Sequence, residues 1–220
     1  AVTSHQGSTD HRNQVEWGNL ITLYAYLAWQ YGTGARPQST PQINWRTVDH
    51  DLRYWIASDK DSRFREERPA LLPPTIRSIT QSVLHTVNPT RQQYLARWGQ
   101  WDKTGYAKIG EPFFWFVDLD TYRILPCSSR SIQEVIARHS PLSAAMPYPD
   151  NVHRHFLASR THADLTVSPD ARNYLLGHKH YGAEPYYIDA STVLTRLHDA
   201  LEPTLERVLH DIGFVTLEEL

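Results

Sequence analysis

The sequence predicts a mainly α-helical domain with a small antiparallel β-sheet, an α+β fold. Apolar residues recur at helical spacing over much of the chain, and runs rich in β-branched and aromatic residues are confined to the first half. A composition of 40% apolar and 21% charged residues is typical of a globular protein. At 220 residues the chain can bury one sizeable core, so residues 1–220 are expected to form a single domain.

A long helix and a small sheet are expected first. Apolar positions keep helical spacing over residues 11–31, Asp10 is a suitable N-cap, and Gly32 and Gly34 follow as stop signals. Short runs of strand-forming residues come next, at residues 47–49, 53–58 and 68–72.

A second helix is expected to begin at Pro74 and to stop at Asn88 and Pro89. Residues 90–112 show no clear pattern. The apolar run 112–117 fits either a buried strand or the edge of a helix, because periodicity alone does not separate the two.

Helices are predicted for the remainder of the chain. Ser168, Pro169 and Asp170 form a strong helix start, and Gly177 ends that helix. Pro203 is expected to kink or break the last helix. The other predicted helices cover residues 131–139, 150–163 and 191–209.

Composition excludes several classes of protein. The most apolar stretch, residues 21–29, is far shorter than the ~20 residues that a bilayer span needs. The single cysteine, Cys127, makes neither an internal disulfide nor a zinc cluster, which favours a reducing compartment and a cytoplasmic location. Because the chain begins at Ala1 without an initiator methionine, it is expected to be part of a longer protein.

Charge is unevenly distributed. The net charge is −2, yet 18 of the 22 basic residues are arginines, whose planar guanidinium binds phosphate oxygens in pairs. Residues 36–103 hold 11 basic against 7 acidic residues, whereas residues 190–220 hold 2 against 6. The composition is therefore compatible with a local phosphate site but does not require one.

Three segments carry residues suited to phosphate chemistry. Residues 31–37 (Tyr-Gly-Thr-Gly-Ala-Arg-Pro) set Arg36 just past a helix end. In the helix predicted at residues 150–163, Arg154 lies one turn beyond Asn151, so both point the same way. Residues 175–187 contain Leu-Gly-His followed by a glycine- and proline-bearing linker and two tyrosines.

In this order the segments resemble the catalytic domain of the tyrosine recombinase (phage integrase) family. That family carries an Arg after a G-[LA]-R turn, a Lys in a β-hairpin, H-x-x-R on a helix, L-G-H, and a Tyr nine residues after that His. The matching residues here are Arg36, Lys60, Asn151, Arg154, His178 and Tyr187. Residues 43–49 are also similar to the family's L-R-W-x-D-I-D strand entry, and the resemblance covers roughly residues 11–210.

The resemblance implies the DNA breaking–rejoining fold and a site-specific recombinase or integrase that works through a covalent 3′-phosphotyrosine, without metal or ATP. Arg36 and Arg154 would clamp the scissile phosphate, and His178 would donate a hydrogen bond or assist proton transfer. Lys60 would act as general acid, and Tyr187 would be the nucleophile.

The resemblance also implies what the protein would bind and how it would assemble. Double-stranded DNA at a specific site would be the substrate, with Arg63, Arg65 and Lys179 along it, and the protein would assemble into a tetramer on DNA. An upstream core-binding domain would complete the clamp and is expected to lie outside this chain. The origin would be a bacterium, a phage or another mobile element, with the protein near the nucleoid.

Several alternatives to this interpretation remain open. Asn151 replaces the first His of H-x-x-R and carries no proton, so a DNA-binding or assembly module without catalysis is the second hypothesis. Tyr186 and, more remotely, Tyr181 compete with Tyr187 as nucleophile. The His-x-His pairs at 153–155 and 178–180 suggest a metal-dependent hydrolase as a third. The leucine-rich 193–209 segment would pack either on a neighbouring protomer or on its own core.

Overall fold

A computed structural model describes residues 3–36, 43–59, 66–97, 113–138, 151–177 and 190–219. The elements in these ranges are, in chain order, α1 (Thr3–Thr33), β1 (Tyr54–Asp59), β2 (Glu66–Leu71), α2 (Pro74–Ser82), α3 (Asn88–Arg97), β3 (Trp115–Val117), β4 (Ile124–Pro126), α4 (Ser129–Arg138), α5 (Val152–Ala163), α6 (Pro169–Leu175) and α7 (Ala190–Asp211). The predicted class, mainly helical with a small set of antiparallel strands, is confirmed. In the part of the chain so described, no helix combines the length and apolarity needed to cross a membrane.

Helix α1 lies at the centre of the fold. It contacts α2, α3, α4, α5, α7 and β3, and its buried side chains include Leu23, Tyr26 and Trp29, which follow helical spacing. Trp29 packs against Trp55 of β1 and against Phe113, with ring centroids 6.0 and 5.3 Å apart. The helix predicted over residues 11–31 is confirmed by this packing.

The predicted start of helix α1 is wrong. The helix begins at Thr3, so Asp10 lies inside it instead of capping it. A capping residue contributes only about 1 kcal/mol, and elongation of an existing helix gains a hydrogen bond for each residue fixed. A local capping preference therefore does not end a helix that the preceding residues can extend.

The sheet near the front has two strands instead of three. β1 and β2 pair antiparallel with Tyr54 opposite Leu71. The predicted strand at 47–49 was wrong, because Val48 makes only an isolated bridge to Trp55. Asn44 Oδ1 accepts the Arg46 N–H at 2.9 Å, and this local turn competes with strand pairing.

Helical structure continues through Pro89, where a stop was predicted. A π-helical segment, Val83–Val87, joins α2 to α3, and the Asn88 N–H donates to the Val83 carbonyl five residues back. Proline has no N–H to donate, so it is tolerated in the first turn of a helix that starts afresh at Asn88. The predicted helix start at Pro74 is confirmed, whereas its predicted end is wrong.

Among the described residues, a second antiparallel pair is formed by β3 and β4. Trp115 lies opposite Pro126, and all of β3 is buried. The apolar run 112–117 therefore contains a buried strand, one of the two alternatives that periodicity left open. Helix α4 covers nearly the residues expected of it.

Helix α7 packs on its own chain. Leu201, Leu205 and Val208 are buried in a cluster with Leu157 of α5 and Leu175 of α6. Of the two alternatives for the leucine-rich segment, the structure shows packing on its own core for residues 197–209. Of the kink or break expected at Pro203, the break is wrong, since the helix runs through it and burial on both sides offsets the ~3 kcal/mol that an interior proline costs.

Polar contacts fasten α7 as well. The Glu206 carboxylate accepts both the Thr75 N–H, at 2.8 Å, and the Thr75 hydroxyl, at 2.7 Å, and so occupies the start of α2. Asp164, just after α5, accepts hydrogen bonds from Thr204 and from Arg207 at 2.8 and 2.7 Å. Hydrogen bonds from Thr166 and Thr204 lower the pKa of Asp164 to about 2.

A buried arginine links α1, α3 and β3. Arg91 donates to Asn88 Oδ1 at 2.6 Å, to Asn19 Oδ1 at 3.2 Å and to the Trp115 carbonyl at 3.1 Å, and its guanidinium carbon lies 4.0 Å from the centroid of the Trp115 ring. Burial lowers the pKa of Arg91 to about 9. Gly18 makes room for it, because a Cβ there would lie 2.5 Å from Arg91 Cδ.

The contact between Gly18 and Arg91 predicts that Gly18→Ala changes the free energy of unfolding in opposite directions with and without the arginine side chain. Gly18→Ala is expected to lower the free energy of unfolding by about 1–3 kcal/mol through overpacking, although alanine is the better helix former by about 1 kcal/mol. In an Arg91→Ala background the same substitution should stabilise, because the obstructing atoms are gone. Denaturant unfolding of the four proteins measures both effects, and equal effects of Gly18→Ala in the two backgrounds would contradict the contact.

Candidate functional site

Helix α1 ends in a glycine turn that carries Arg36. Gly34 adopts φ +60°, the left-handed conformation common just after a helix. The Ala35 N–H donates to the Thr33 hydroxyl at 3.2 Å, Ala35 is buried, and Arg36 is partly buried. The predicted position of Arg36 just beyond a helix end is confirmed.

The turn fits closely against two other elements. A Cβ at Gly34 would lie 3.0 Å from Leu157 Cδ2 of α5 and 3.5 Å from the Leu175 carbonyl oxygen of α6. The backbone of the Arg36 turn therefore approaches both of the later segments that the sequence singled out.

Helix α5 places its first residues in different surroundings. Asn151 is the N-cap position, is exposed, and does not cap the helix with its side chain. Arg154 is partly buried one turn later. His153 is only 4% exposed, whereas His155 is exposed, so the two imidazoles do not converge as metal ligands would.

Arg154 joins the turn after α1 to the turn after α6. Its Nη1 donates to the Gly34 carbonyl at 2.8 Å, and its Nη2 donates to the Leu176 carbonyl. Gly34 precedes Arg36 by two residues, and Leu176 precedes His178 by two. The guanidinium of one motif thus contacts the turns of two other motifs that are far away along the chain.

His153 holds the next carbonyl of the same turn. Its Nε2 lies 2.8 Å from the Ala35 carbonyl oxygen, and its ring packs against Tyr31 with centroids 5.9 Å apart. The sequence suggested this histidine only as one of a His-x-His pair of metal ligands, and no local signal shows that its partner lies 118 residues away.

Helix α6 and its end agree with the sequence. The Ser168 hydroxyl accepts the Ala171 N–H at 3.1 Å as a side-chain N-cap, and Pro169 follows it. Gly177 has φ +61°, and its N–H donates to the Tyr174 carbonyl. Both the predicted start and the predicted stop are confirmed.

Tyr174 connects this helix to the first hairpin. Its hydroxyl donates to the Pro69 carbonyl of β2 at 2.6 Å. Burial raises the pKa of Tyr174 to about 12, an effect that the charge of Arg68 partly offsets. The hairpin whose connector contains residue 60 is thereby fastened beside the other segments, and sequence reasoning did not single this tyrosine out.

The described residues therefore contain part of the predicted site. Arg36, Asn151 and Arg154 lie on segments that contact one another or share a contact. The remaining predicted site residues, Lys60, Arg63, Arg65, His178, Lys179 and Tyr187, lie outside the described residues, as do the rival tyrosines 181 and 186. Within the described ranges no three His, Cys, Asp or Glu side chains group as metal ligands do.

Comparisons with family models, with curated proteins and with solved structures find no match for this chain. The case for its function therefore rests on the contacts among these segments and on the spacing of their residues.

Substitution of Gly34 tests the fit of the turn. Gly34→Ala is expected to destabilise the protein by about 1–2 kcal/mol for the left-handed backbone, with a further cost of about 1 kcal/mol or more from crowding against Leu157 Cδ2. Gly213→Ala is the matched control, because Gly213 also has a positive φ, +87°, but no atom within 4 Å of its Cβ position. Thermal or denaturant unfolding compares the two. Equal losses would show that the turn is not closely packed.

Proposed function

We propose that this chain is the catalytic domain of a tyrosine-type site-specific recombinase, which cuts and rejoins DNA through a covalent 3′-phosphotyrosine. One observation carries the proposal. The Arg154 guanidinium donates at once to the carbonyl of Gly34 and to that of Leu176, which lie 120 and 22 residues away. These are the turns that precede Arg36 and His178, two of the residues the proposed reaction needs.

The reaction requires compensation of negative charge. When a phenol oxygen attacks a phosphodiester, charge develops on the two non-bridging oxygens, and preorganised cationic donors stabilise it. Arg154 would supply one guanidinium, a group that stays charged and carries five N–H donors. Arg36, three residues past the end of α1, would supply the second guanidinium.

In the proposed step, Tyr187 Oη gives its proton to solvent water and forms a bond to phosphorus, and the bond from phosphorus to the 5′ oxygen breaks. Lys60 gives that oxygen a proton, with His178 assisting. The DNA 3′ phosphate stays esterified to Tyr187, so a 5′ hydroxyl of another strand can reverse the step without an external energy source.

Charge limits how the chain meets DNA. Affinity for phosphates depends on the number of them that cations neutralise and falls steeply with salt. With a net charge of −2 and an acidic last helix, this chain alone is expected to bind DNA weakly. The reaction would therefore depend on further DNA contacts, made by other protein segments or by further copies in a tetramer.

Asn151 favours the second candidate, a recombinase-like DNA-binding or assembly module. It is exposed at the start of α5, one turn before Arg154, where the resemblance places a histidine. An amide can donate a hydrogen bond but cannot transfer a proton at neutral pH. Formation of a covalent adduct separates the two candidates.

Covalent capture from random sequence is the direct test, because it needs no known target. Duplexes with a randomised core and nicks at varied positions are incubated with the protein, and DNA that stays attached in detergent is sequenced. The wild type is expected to select a defined site. Tyr187→Phe should give no adduct, Tyr186→Phe should retain it, and Arg36→Ala or Arg154→Ala should slow it by about 10²–10³-fold. Binding without adduct under every condition would favour the second candidate.

Restoring a histidine at position 151 makes a separate prediction. Asn151→His is expected to speed adduct formation on the selected duplex by about tenfold or more, since general acid–base catalysis contributes about 10²–10⁴-fold. Val152→His is the control, because it adds an imidazole at the exposed neighbouring position. An equal gain from both variants, or none from Asn151→His, would contradict the role assigned to position 151.

A further inference from the structure

His153 is the one histidine of α5 that is buried. It is 4% exposed, its Nε2 lies 2.8 Å from the Ala35 carbonyl oxygen, and its ring packs edge-on against Tyr31. A carbonyl oxygen only accepts hydrogen bonds, so Nε2 must carry the proton. The contact therefore fixes both the tautomer and the orientation of the ring.

Two consecutive residues of α5 hold two consecutive carbonyls of the turn. Arg154 binds the Gly34 carbonyl and His153 binds the Ala35 carbonyl, both at 2.8 Å. The next residue along the chain is Arg36. Because the peptide that joins Ala35 to Arg36 carries the held carbonyl, a shift of that peptide moves the Arg36 backbone with it.

We propose that His153 is a positioning residue that sets the Arg36 guanidinium against the scissile phosphate. This inference rests on the proposed function. His153 does not itself meet the phosphate, since its ring is buried and its Nε2 is bonded to the turn. The H-x-x-R element of the resemblance leaves this position unspecified, so the resemblance itself assigns this histidine no role.

Two substitutions separate the hydrogen bond from the packing. His153→Leu fills much of the same space without a donor and leaves the Ala35 carbonyl buried without this bond. His153→Gln returns an N–H donor at a similar reach. On the DNA site selected by capture, His153→Leu is expected to slow adduct formation by about 10–100-fold, because small misplacements of a reacting group cost up to about 10²-fold.

The rate should change without a matching change in binding. The Kd for the uncleaved duplex is expected to stay within about threefold of wild type in both variants, because at most one phosphate contact, that of Arg36, is altered. His153→Gln should recover the rate to within about threefold of wild type. If the role of His153 were merely structural, His153→Leu would lower the unfolding midpoint, the DNA affinity and the rate together. His153→Gln would then not restore the rate without also restoring the other two.

A double substitution shows whether the effect passes through Arg36. If His153 acts by positioning that guanidinium, the Arg36→Ala, His153→Leu protein should be about as slow as Arg36→Ala alone. Multiplication of the two losses would overturn the proposal. The proposal would also be overturned if Arg36→Ala slows adduct formation while His153→Leu leaves the rate at the wild-type value.

Nuclear magnetic resonance of the unbound protein provides a test that needs no catalysis. Nitrogen-15 spectra of the imidazole are expected to show the Nε2–H tautomer, and the Arg36 side-chain N–H signal should shift in His153→Leu but return in His153→Gln. An Nδ1–H tautomer, or an Arg36 signal that ignores position 153, would overturn the proposal. If the wild type forms no adduct, the recombinase proposal fails while these spectra still decide whether His153 positions Arg36.

Discussion

The Arg154 guanidinium lies where the C-terminal ends of two helices meet, and it holds both. Gly34 follows the last residue of α1, and Leu176 is the C-cap of α6. Carbonyl oxygens at such ends lack partners within the helix and carry the negative end of its dipole, which favours a cation by about 0.3–1 kcal/mol each. One arginine therefore binds a carbonyl at each of two helix ends.

The same arrangement limits what the site can bind. The carbonyl oxygens of Gly34 and Leu176 bind this guanidinium, so an anion that approaches Arg154 meets partial negative charge as well as a cation. A second cation would be needed to stabilise a dianion-like transition state, and Arg36 is two residues beyond the held Gly34 carbonyl. The hydrogen bond from His153 to the Ala35 carbonyl matters for this reason, because it holds the peptide that joins Ala35 to Arg36.

Local signals predicted the ends of the site's helices, and long-range contacts determined the rest. The stop at Gly177 and the cap at Ser168 depend on residues within one turn, so the sequence contains them. The partners of His153 and Tyr174 lie 118 and 105 residues away, and no local pattern reveals such pairs. The stop predicted at Pro89 was wrong for the opposite reason. The signal is local, but the π-helical segment just before it lets helical structure continue through the proline.

Packing of α7 restricts how copies of this chain could assemble. Leu201, Leu205, Val208 and Leu209 are at most 4% exposed, and burial of each contributes about 1.5–3 kcal/mol. Removing all four from the core would cost roughly 6–12 kcal/mol, comparable to the ~5–15 kcal/mol that stabilises a whole domain. The contacts of Glu206 with Thr75 and of Asp164 with Thr204 add to that cost. This face of the helix cannot leave its own core for a neighbour without unfolding much of the protein, so a tetramer on DNA would have to form through other surfaces.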